Sequence, residues 1–134
     1  MSFILDKRLE NDSCLVIDLQ LSQVRLVNNA NFPWVIIVPR LKSIVEITDL
    51  TNEQYHRLNI EVLFVAKAMQ RVFEPDKLNI ATIGNKVRQL HYHVVARYKN
   101  DMCFPDPVWG AAKSLYVLED LQCCIKSLKR PLEQ

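Results

Sequence analysis

Glycine is scarce in this chain of 134 residues, which contains only Gly84 and Gly110. Two glycines this far apart cannot supply the G-x-G-x-x-G turn of a dinucleotide-binding domain or a P-loop, so both classes of nucleotide site are excluded. Long apolar runs are also absent, and none approaches the roughly 20 residues that a membrane-spanning helix needs. The apolar block near the N-terminus is too short for a secretory signal. We therefore expect a cytoplasmic protein without a membrane partner.

The sequence also lacks cysteine pairs of the C-x-x-C type. Its four cysteines are Cys14, Cys103, Cys123 and Cys124. This spacing favours buried, reduced thiols over a metal site or a disulfide framework. The 17 basic and 15 acidic residues give a formal net charge of +2, which is too balanced to predict nucleic acid binding. Apolar residues make up 49% of the chain, which is enough for the core of one domain over residues 1–134.

Short apolar segments between polar breaks predict the strands of a sheet. These segments lie at residues 14–19, 24–27, 34–38, 77–80 and about 87–98. Successive short strands suit hairpin connections, so we expect the sheet to be antiparallel.

One long helix is predicted to begin after Thr51, because Thr51 and Gln54 have the spacing of a capping box. Apolar residues then recur at helical intervals from Leu58 to Val72, which indicates a single buried stripe. The segment around Pro75 is expected to end this helix.

Two shorter helices are predicted at the ends of the chain. The first covers residues 3–9, and the second covers residues 118–128 and is expected to be closed by Pro131. Strands, one long helix, further strands and a C-terminal helix together predict an α+β fold.

Two of the three histidines lie in the last predicted strand, where Gln89, His91 and His93 alternate with apolar residues. Alternate residues of a strand share one face, so the carboxamide and the two imidazoles are expected side by side. The opposite face, with Leu90 and Tyr92, is expected to pack in the core.

Three interpretations of the histidine face are open. The H-x-H spacing could supply two ligands of a metal site, although no acidic residue lies on the same face to complete it. The histidines could be structural, with backbone carbonyls as their partners. They could also catalyse a reaction at phosphorus, because an imidazole titrates near neutral pH and can act as a nucleophile without an auxiliary base.

The segment Q-L-H-Y-H-V-V, which begins at Gln89, resembles the H-φ-H-φ-H-φ-φ signature of the histidine-triad (HIT) superfamily, where φ is apolar. Gln89 stands in place of the first histidine. Asn79 and the G-N-K-V segment from Gly84 resemble the N-x-G…G-Q-S-V lead-in of the family. The segment W-V-I-I-V-P-R resembles the G-H-φ-L-V-x-P-K/R strand, with Trp34 where a histidine is usual. The resemblance covers roughly residues 14–110.

This resemblance implies the HIT α+β domain, which is usually a homodimer, and a nucleotidyl hydrolase or transferase. The implied ligand is a nucleotide or a nucleotide conjugate, and no cofactor or metal is implied. His91 corresponds to the nucleophile that forms a nucleotidyl-histidine intermediate, and His93 corresponds to the histidine that contacts the phosphate or the leaving group. Gln89 would support them through hydrogen bonds but could not carry a proton.

The same resemblance implies a set of binding residues. Asn79, Gly84 and Asn85 match positions that hold phosphate, and Asn28 or Asn29 is the candidate for the ribose. Two further functions remain open at this stage. One is a nucleotide-binding protein without turnover, because Gln89 and Lys86 change the site, and the other is a metal-binding or structural dimer module.

Overall fold

The computed structural model describes residues 2–134 and contains one five-stranded sheet and three α-helices. The elements in chain order are α1 (Lys7–Asp12), β1 (Ser13–Asp18), β2 (Ser22–Val27), β3 (Trp34–Pro39), α2 (Asn52–Phe73), β4 (Lys77–Ala81), β5 (Tyr92–Arg97) and α3 (Leu118–Leu132). Every strand pair is antiparallel, and the spatial order is β1-β2-β3-β5-β4. The predicted α+β fold with an antiparallel sheet is confirmed. Within the described residues, no helix is both long and apolar enough to cross a membrane.

Strand β3 is the centre of the sheet, and all six of its residues are buried. Its alternate side chains enter different layers, as the pleat requires. Val35 and Ile37 join the core beneath α2 and α3, whereas Trp34 and Ile36 lie on the opposite face. Because both long helices cover the first face, the second face is left for the N-terminal segment and the loops.

Helix α2 begins as the sequence predicts. Thr51 Oγ1 accepts a hydrogen bond from the Gln54 amide at 3.1 Å, and Gln54 Oε1 accepts one from the Thr51 amide at 2.9 Å. This reciprocal capping box satisfies two of the amides that a helix start leaves unpaired. Leu58, Val65 and Met69 of the predicted stripe are fully buried against the sheet.

The terminal helices differ from the prediction. Helix α1 is Lys7–Asp12 rather than 3–9, because the Asp6 carboxylate caps it by accepting from the Arg8 amide. Helix α3 continues through Pro131 to Leu132, so Pro131 does not close it. Leu128 and Leu132 are both buried in the core, and this packing holds the last turn in place despite the missing proline donor.

A buried ion pair lies beneath the face opposite α2. The Arg97 guanidinium donates to the Asp101 carboxylate at 2.8 Å, and their side chains are 1% and 5% exposed. Arg97 also packs over the rings of Phe32 and Phe104. The hydrogen bond from Arg97 holds the pKa of Asp101 well below its usual range. Asp101 also accepts from the Tyr98, Cys103 and Phe104 amides, so this pair fixes the loop that follows β5.

Asp101→Asn is therefore expected to destabilise the fold by about 3 kcal/mol, because it leaves a buried guanidinium without its counter-charge. Asp18→Asn is the matched control. It removes the exposed pair with Arg40, whose shortest N–O distance is 3.2 Å, and should cost less than about 1 kcal/mol. Urea unfolding measures both values, and equal losses in the two variants would contradict the buried-pair argument.

Candidate active site

The histidine segment enters the sheet later than predicted. Strand β5 begins at Tyr92, so His93 lies in the strand while Gln89 and His91 precede it. The reason is the backbone at Leu90, whose amide donates to the Ile44 carbonyl at 3.0 Å instead of to a neighbouring strand. The alternation of side chains nevertheless continues through this segment as predicted, because Leu90 and Tyr92 pack in the core while the His91 and His93 rings lie together on the other face.

The orientation of the His91 ring is fixed by a hydrogen bond to a nearby backbone carbonyl. Its Nδ1 lies 2.7 Å from the Gln89 carbonyl oxygen. A carbonyl can only accept a hydrogen bond, so Nδ1 carries the proton and Nε2 keeps its lone pair. Burial lowers the pKa of His91, an effect that the Gln89 bond and the charge of Asp6 oppose. A neutral imidazole with a free Nε2 lone pair is the form that can attack phosphorus.

His93 has a different partner. The Trp34 indole N–H donates to His93 Nδ1 at 3.0 Å. The centroids of the His91 and His93 rings are 4.8 Å apart, in an edge-to-face arrangement. Burial, followed by the proximity of His91, lowers the pKa of His93 to about 3. His93 is therefore neutral at physiological pH and carries its one proton on Nε2.

Two cavities meet at His91. The larger, of about 620 Å³, is lined on its aromatic and apolar side by Trp34, His93, Val108, Trp109, Leu9 and Ile36. The smaller, of about 190 Å³, is mostly polar and includes Gln89 and Arg88. His91, Gly84 and Asn85 line both cavities. The imidazole that keeps a free lone pair thus lies between an aromatic chamber and a polar one.

The side chain of Gln89 bonds to the N-terminal segment and not to either histidine. Its Nε2 donates to the Ile4 carbonyl at 2.8 Å, and its Oε1 accepts from the Asp6 amide at 2.9 Å. Arg8 adds a bond to the Lys86 carbonyl at 2.8 Å. The support for His91 comes from the Gln89 backbone, while the carboxamide holds the N-terminal segment beside the loop that precedes β5.

The other predicted residues divide into two groups. Gly84 has φ +69°, a left-handed conformation that suits glycine, and it lies with Asn85 at the junction of the cavities. Asn79 Oδ1 accepts from Arg97 Nη1 at 2.8 Å, and Asn28 Oδ1 accepts from the Tyr116 amide at 2.9 Å. Neither of them lines either of the two cavities, whereas Asn29, the other candidate for the ribose, lines the larger one. The binding roles of Asn79 and Asn28 remain predictions.

Sequence reasoning missed several residues of the larger cavity. Leu9, Ser13 and Lys113 line it from the N-terminal helix region and from the segment before α3. No local motif indicates them, because tertiary packing alone brings them there. Trp109 both lines the cavity and packs edge-on against His93, with a centroid separation of 5.1 Å.

Over residues 2–134, no group of three or more His, Cys, Asp or Glu side chains comes together as a candidate ion site. His93 Nδ1 is occupied by the Trp34 donor, and His91 Nδ1 by its own proton.

The comparisons with known proteins agree with this geometry. The model of the HIT domain family matches residues 8–100, which is more than half of the chain. The chain belongs to the HIT family. The predicted superfamily is thereby confirmed. Comparison with curated proteins gives no match.

Solved HIT-family structures match along nearly the whole chain. A histidine triad protein from Bradyrhizobium japonicum is 39% identical, covers 98% of each chain and has a TM-score of 0.95. One from Marinobacter aquaeolei VT8 is also 39% identical, covers 100% of this chain and 98% of that one, and has a TM-score of 0.96. The Plasmodium falciparum diadenosine triphosphate hydrolase is 20% identical, covers 99% and 83% respectively, and shares the fold with a TM-score of 0.68.

Gln89→Ala should loosen the N-terminal segment, since both hydrogen bonds from the Gln89 side chain to that segment would be lost. We expect the Asp6 amide to exchange with solvent about fivefold faster, because one hydrogen bond contributes about 1 kcal/mol. Gln54→Ala is the matched control, because it removes a carboxamide that caps α2 instead. Hydrogen exchange followed by NMR measures the rate, and an unchanged Asp6 rate in Gln89→Ala would contradict the anchoring role.

Proposed function

We propose that this protein is a nucleotidyl hydrolase or transferase that acts through a nucleotidyl-histidine intermediate. The observation that carries the proposal is the 2.7 Å bond between His91 Nδ1 and the Gln89 carbonyl. It leaves the Nε2 lone pair of a neutral imidazole at the junction of the two cavities. Membership of the HIT family supports the same chemistry.

The proposed reaction has two steps. His91 Nε2 attacks the α-phosphorus of a nucleotide conjugate, forming a P–N bond while the bond to the leaving group breaks and its electron pair departs with that group. His91 Nδ1–H keeps its hydrogen bond to the Gln89 carbonyl oxygen, and this hydrogen bond stabilises the imidazolium that results. Water or an acceptor alcohol then attacks phosphorus, loses a proton to solvent, and returns the electron pair to Nε2.

The cavities offer places for the two halves of the substrate. The larger one has the volume and the aromatic walls, including Trp34 and Trp109, that suit a nucleobase. Gly84 and Asn85 border both cavities, so their backbone amides are candidates to hold the phosphoryl oxygens. The fold likeness to a diadenosine triphosphate hydrolase is compatible with a nucleotide in this position.

A second candidate function is nucleotide binding without turnover. The observation that favours it is the full engagement of the Gln89 carboxamide by Ile4 and Asp6. A carboxamide does not titrate, so the first triad position holds no group that can take up or release a proton near neutral pH. AMP binding is expected under either candidate, and only release of a leaving group separates them.

His91→Ala is expected to reduce nucleotide release by at least about 1,000-fold, because the nucleophile is removed. The assay uses diadenosine triphosphate and an adenosine phosphoramidate, with AMP as the measured product. His56→Ala is the control, since His56 is an exposed residue of α2. Hydrolysis is the wrong assignment if the wild type releases no more AMP than His91→Ala, and calorimetry with AMP then tests binding alone.

The pH profile tests the state of the nucleophile. Attack requires neutral His91, and burial lowers its pKa from the ordinary 6.5. The decline of the rate on acidification should therefore be centred below pH 6.5. A decline centred at or above pH 6.5 in kcat/KM would contradict a buried, neutral nucleophile.

The homodimer is part of this proposal. Strand β4 is an edge of the sheet, so one side of its backbone can pair with another strand. Ile80 on β4 and Leu63 on α2 are both exposed apolar residues, and a second copy would cover them. We expect light scattering to give twice the chain mass, and Leu63→Glu to lower it; a monomeric wild type would contradict the dimer.

A further inference from the structure

The hydrogen bond between Trp34 and His93 determines which nitrogen of His93 is protonated. An indole N–H can only donate, so His93 Nδ1 must accept. A neutral imidazole has a single N–H, and in His93 it is therefore on Nε2. His93 Nε2 is thus a fixed donor in the site, while His91 Nε2 is the fixed lone pair.

Protonation of His93 would be costly in this environment. Trp34 and His93 are only 9% and 8% exposed. A proton on His93 Nδ1 would face the indole N–H, break the 3.0 Å bond and leave a buried donor unpaired. The ring is further enclosed by Trp109 and His91, which are uncharged in this state.

The charged side chains that line the same cavity do not bond to His93. They are Asp12, Lys86 and Lys113. Lys113 pairs with Asp12 at 3.6 Å, and Lys86 is exposed. The only hydrogen-bond partner of the His93 ring among the described residues is Trp34. No carboxylate is therefore placed to stabilise a protonated His93.

We propose that Trp34 is a positioning residue that holds His93 as a neutral Nε2–H donor, so that the site cleaves phosphoric anhydrides whose leaving group departs as an oxyanion. This substrate class rests on the proposed function. Such a leaving group is a phosphate chain or a carboxylate joined to the α-phosphate. It needs a hydrogen bond on its oxygen but no proton transfer.

The chemistry of the leaving group explains the distinction. When the bond from phosphorus to a bridging anhydride oxygen breaks, the electron pair stays on an oxygen that is stable as an anion near neutral pH. His93 Nε2–H can stabilise that charge as it develops. When a P–N bond breaks, the nitrogen must first gain a proton, because an amide anion is too basic to leave. Neutral His93 cannot transfer its proton to the nitrogen, because Trp34 offers only a hydrogen bond and no proton to replace it. The one proton of His91 is held in the hydrogen bond to the Gln89 carbonyl.

Nuclear magnetic resonance of the histidine ring nitrogens tests the tautomer without any substrate. In the wild type, we expect His93 to keep the Nε2–H form from pH 7 to pH 5. In Trp34→Phe, we expect the pKa of His93 to lie closer to the ordinary value for histidine. Trp109→Phe is the matched control, because it also removes an indole beside His93 but not the donor to Nδ1. An Nδ1–H tautomer, or protonation of wild-type His93 between pH 7 and 5, overturns the proposal even if Trp34→Phe does not fold.

Kinetics test the substrate class. Diadenosine triphosphate and adenosine phosphoramidate share the nucleoside and the α-phosphorus but differ in the leaving atom. We expect the wild-type kcat/KM to favour the anhydride by about 100-fold, the usual scale of general acid catalysis. Trp34→Phe should reduce this ratio by about tenfold, whereas Trp109→Phe should keep it.

The outcomes are distinguishable. Equal kcat/KM for the two substrates in the wild type overturns the substrate class while the proposed function stands. Turnover of neither substrate beyond the His91→Ala level overturns the proposed function and the substrate class together, and the ring-nitrogen spectra still decide the role of Trp34. The positioning role of Trp34 is also overturned if Trp34→Phe and Trp109→Phe change the ratio of the two kcat/KM values equally.

Discussion

The hydrogen bond from His91 to the Gln89 carbonyl is the constraint on which the candidate site depends. Because it uses the backbone, any residue at position 89 can provide it. The His91 ring therefore keeps its orientation although the first histidine of the triad is replaced. The replacement changes what the side chain does, since a carboxamide has both a donor and an acceptor and can bond to two backbone groups at once.

That second function ties the site to the N-terminal segment. Gln89 bonds to Ile4 and Asp6, and Arg8 bonds to the backbone at Lys86. Leu9 then lines the larger cavity from the helix that this segment begins. The wall of the cavity on this side is thus held by Gln89, whose carbonyl also orients His91.

Much of the fold could be predicted from sequence because its signals are local. The capping box at Thr51 and the apolar run after Trp34 each describe contacts with neighbouring residues or with one buried layer. The start of β5 could not be predicted, because it depends on the bond from Leu90 to Ile44. Pro131 was misjudged for a similar reason, since tertiary burial of Leu132 outweighs the local preference of proline.

The site shows the same division. His91 and His93 were identified from their spacing, but the partners that set their chemistry could not be. Trp34 is 59 residues from His93 in sequence, and the two ends of the Gln89 carboxamide contact residues 83 and 85 positions away. The first contact follows from strand order, which places β3 beside β5, and the other two follow from the packing of the N-terminal segment beside the loop that precedes β5.

The two departures from the triad pattern have a common physical effect. Gln89 and Trp34 both stand where the pattern has a histidine, and neither can titrate near neutral pH. The remaining imidazoles are both buried and each has its Nδ1 engaged, one as a donor and the other as an acceptor. The site therefore presents one lone pair and one N–H in fixed places, without a mobile proton between them. A site of this kind stabilises charge by position, which is the basis of the proposed preference for leaving groups that need no acid.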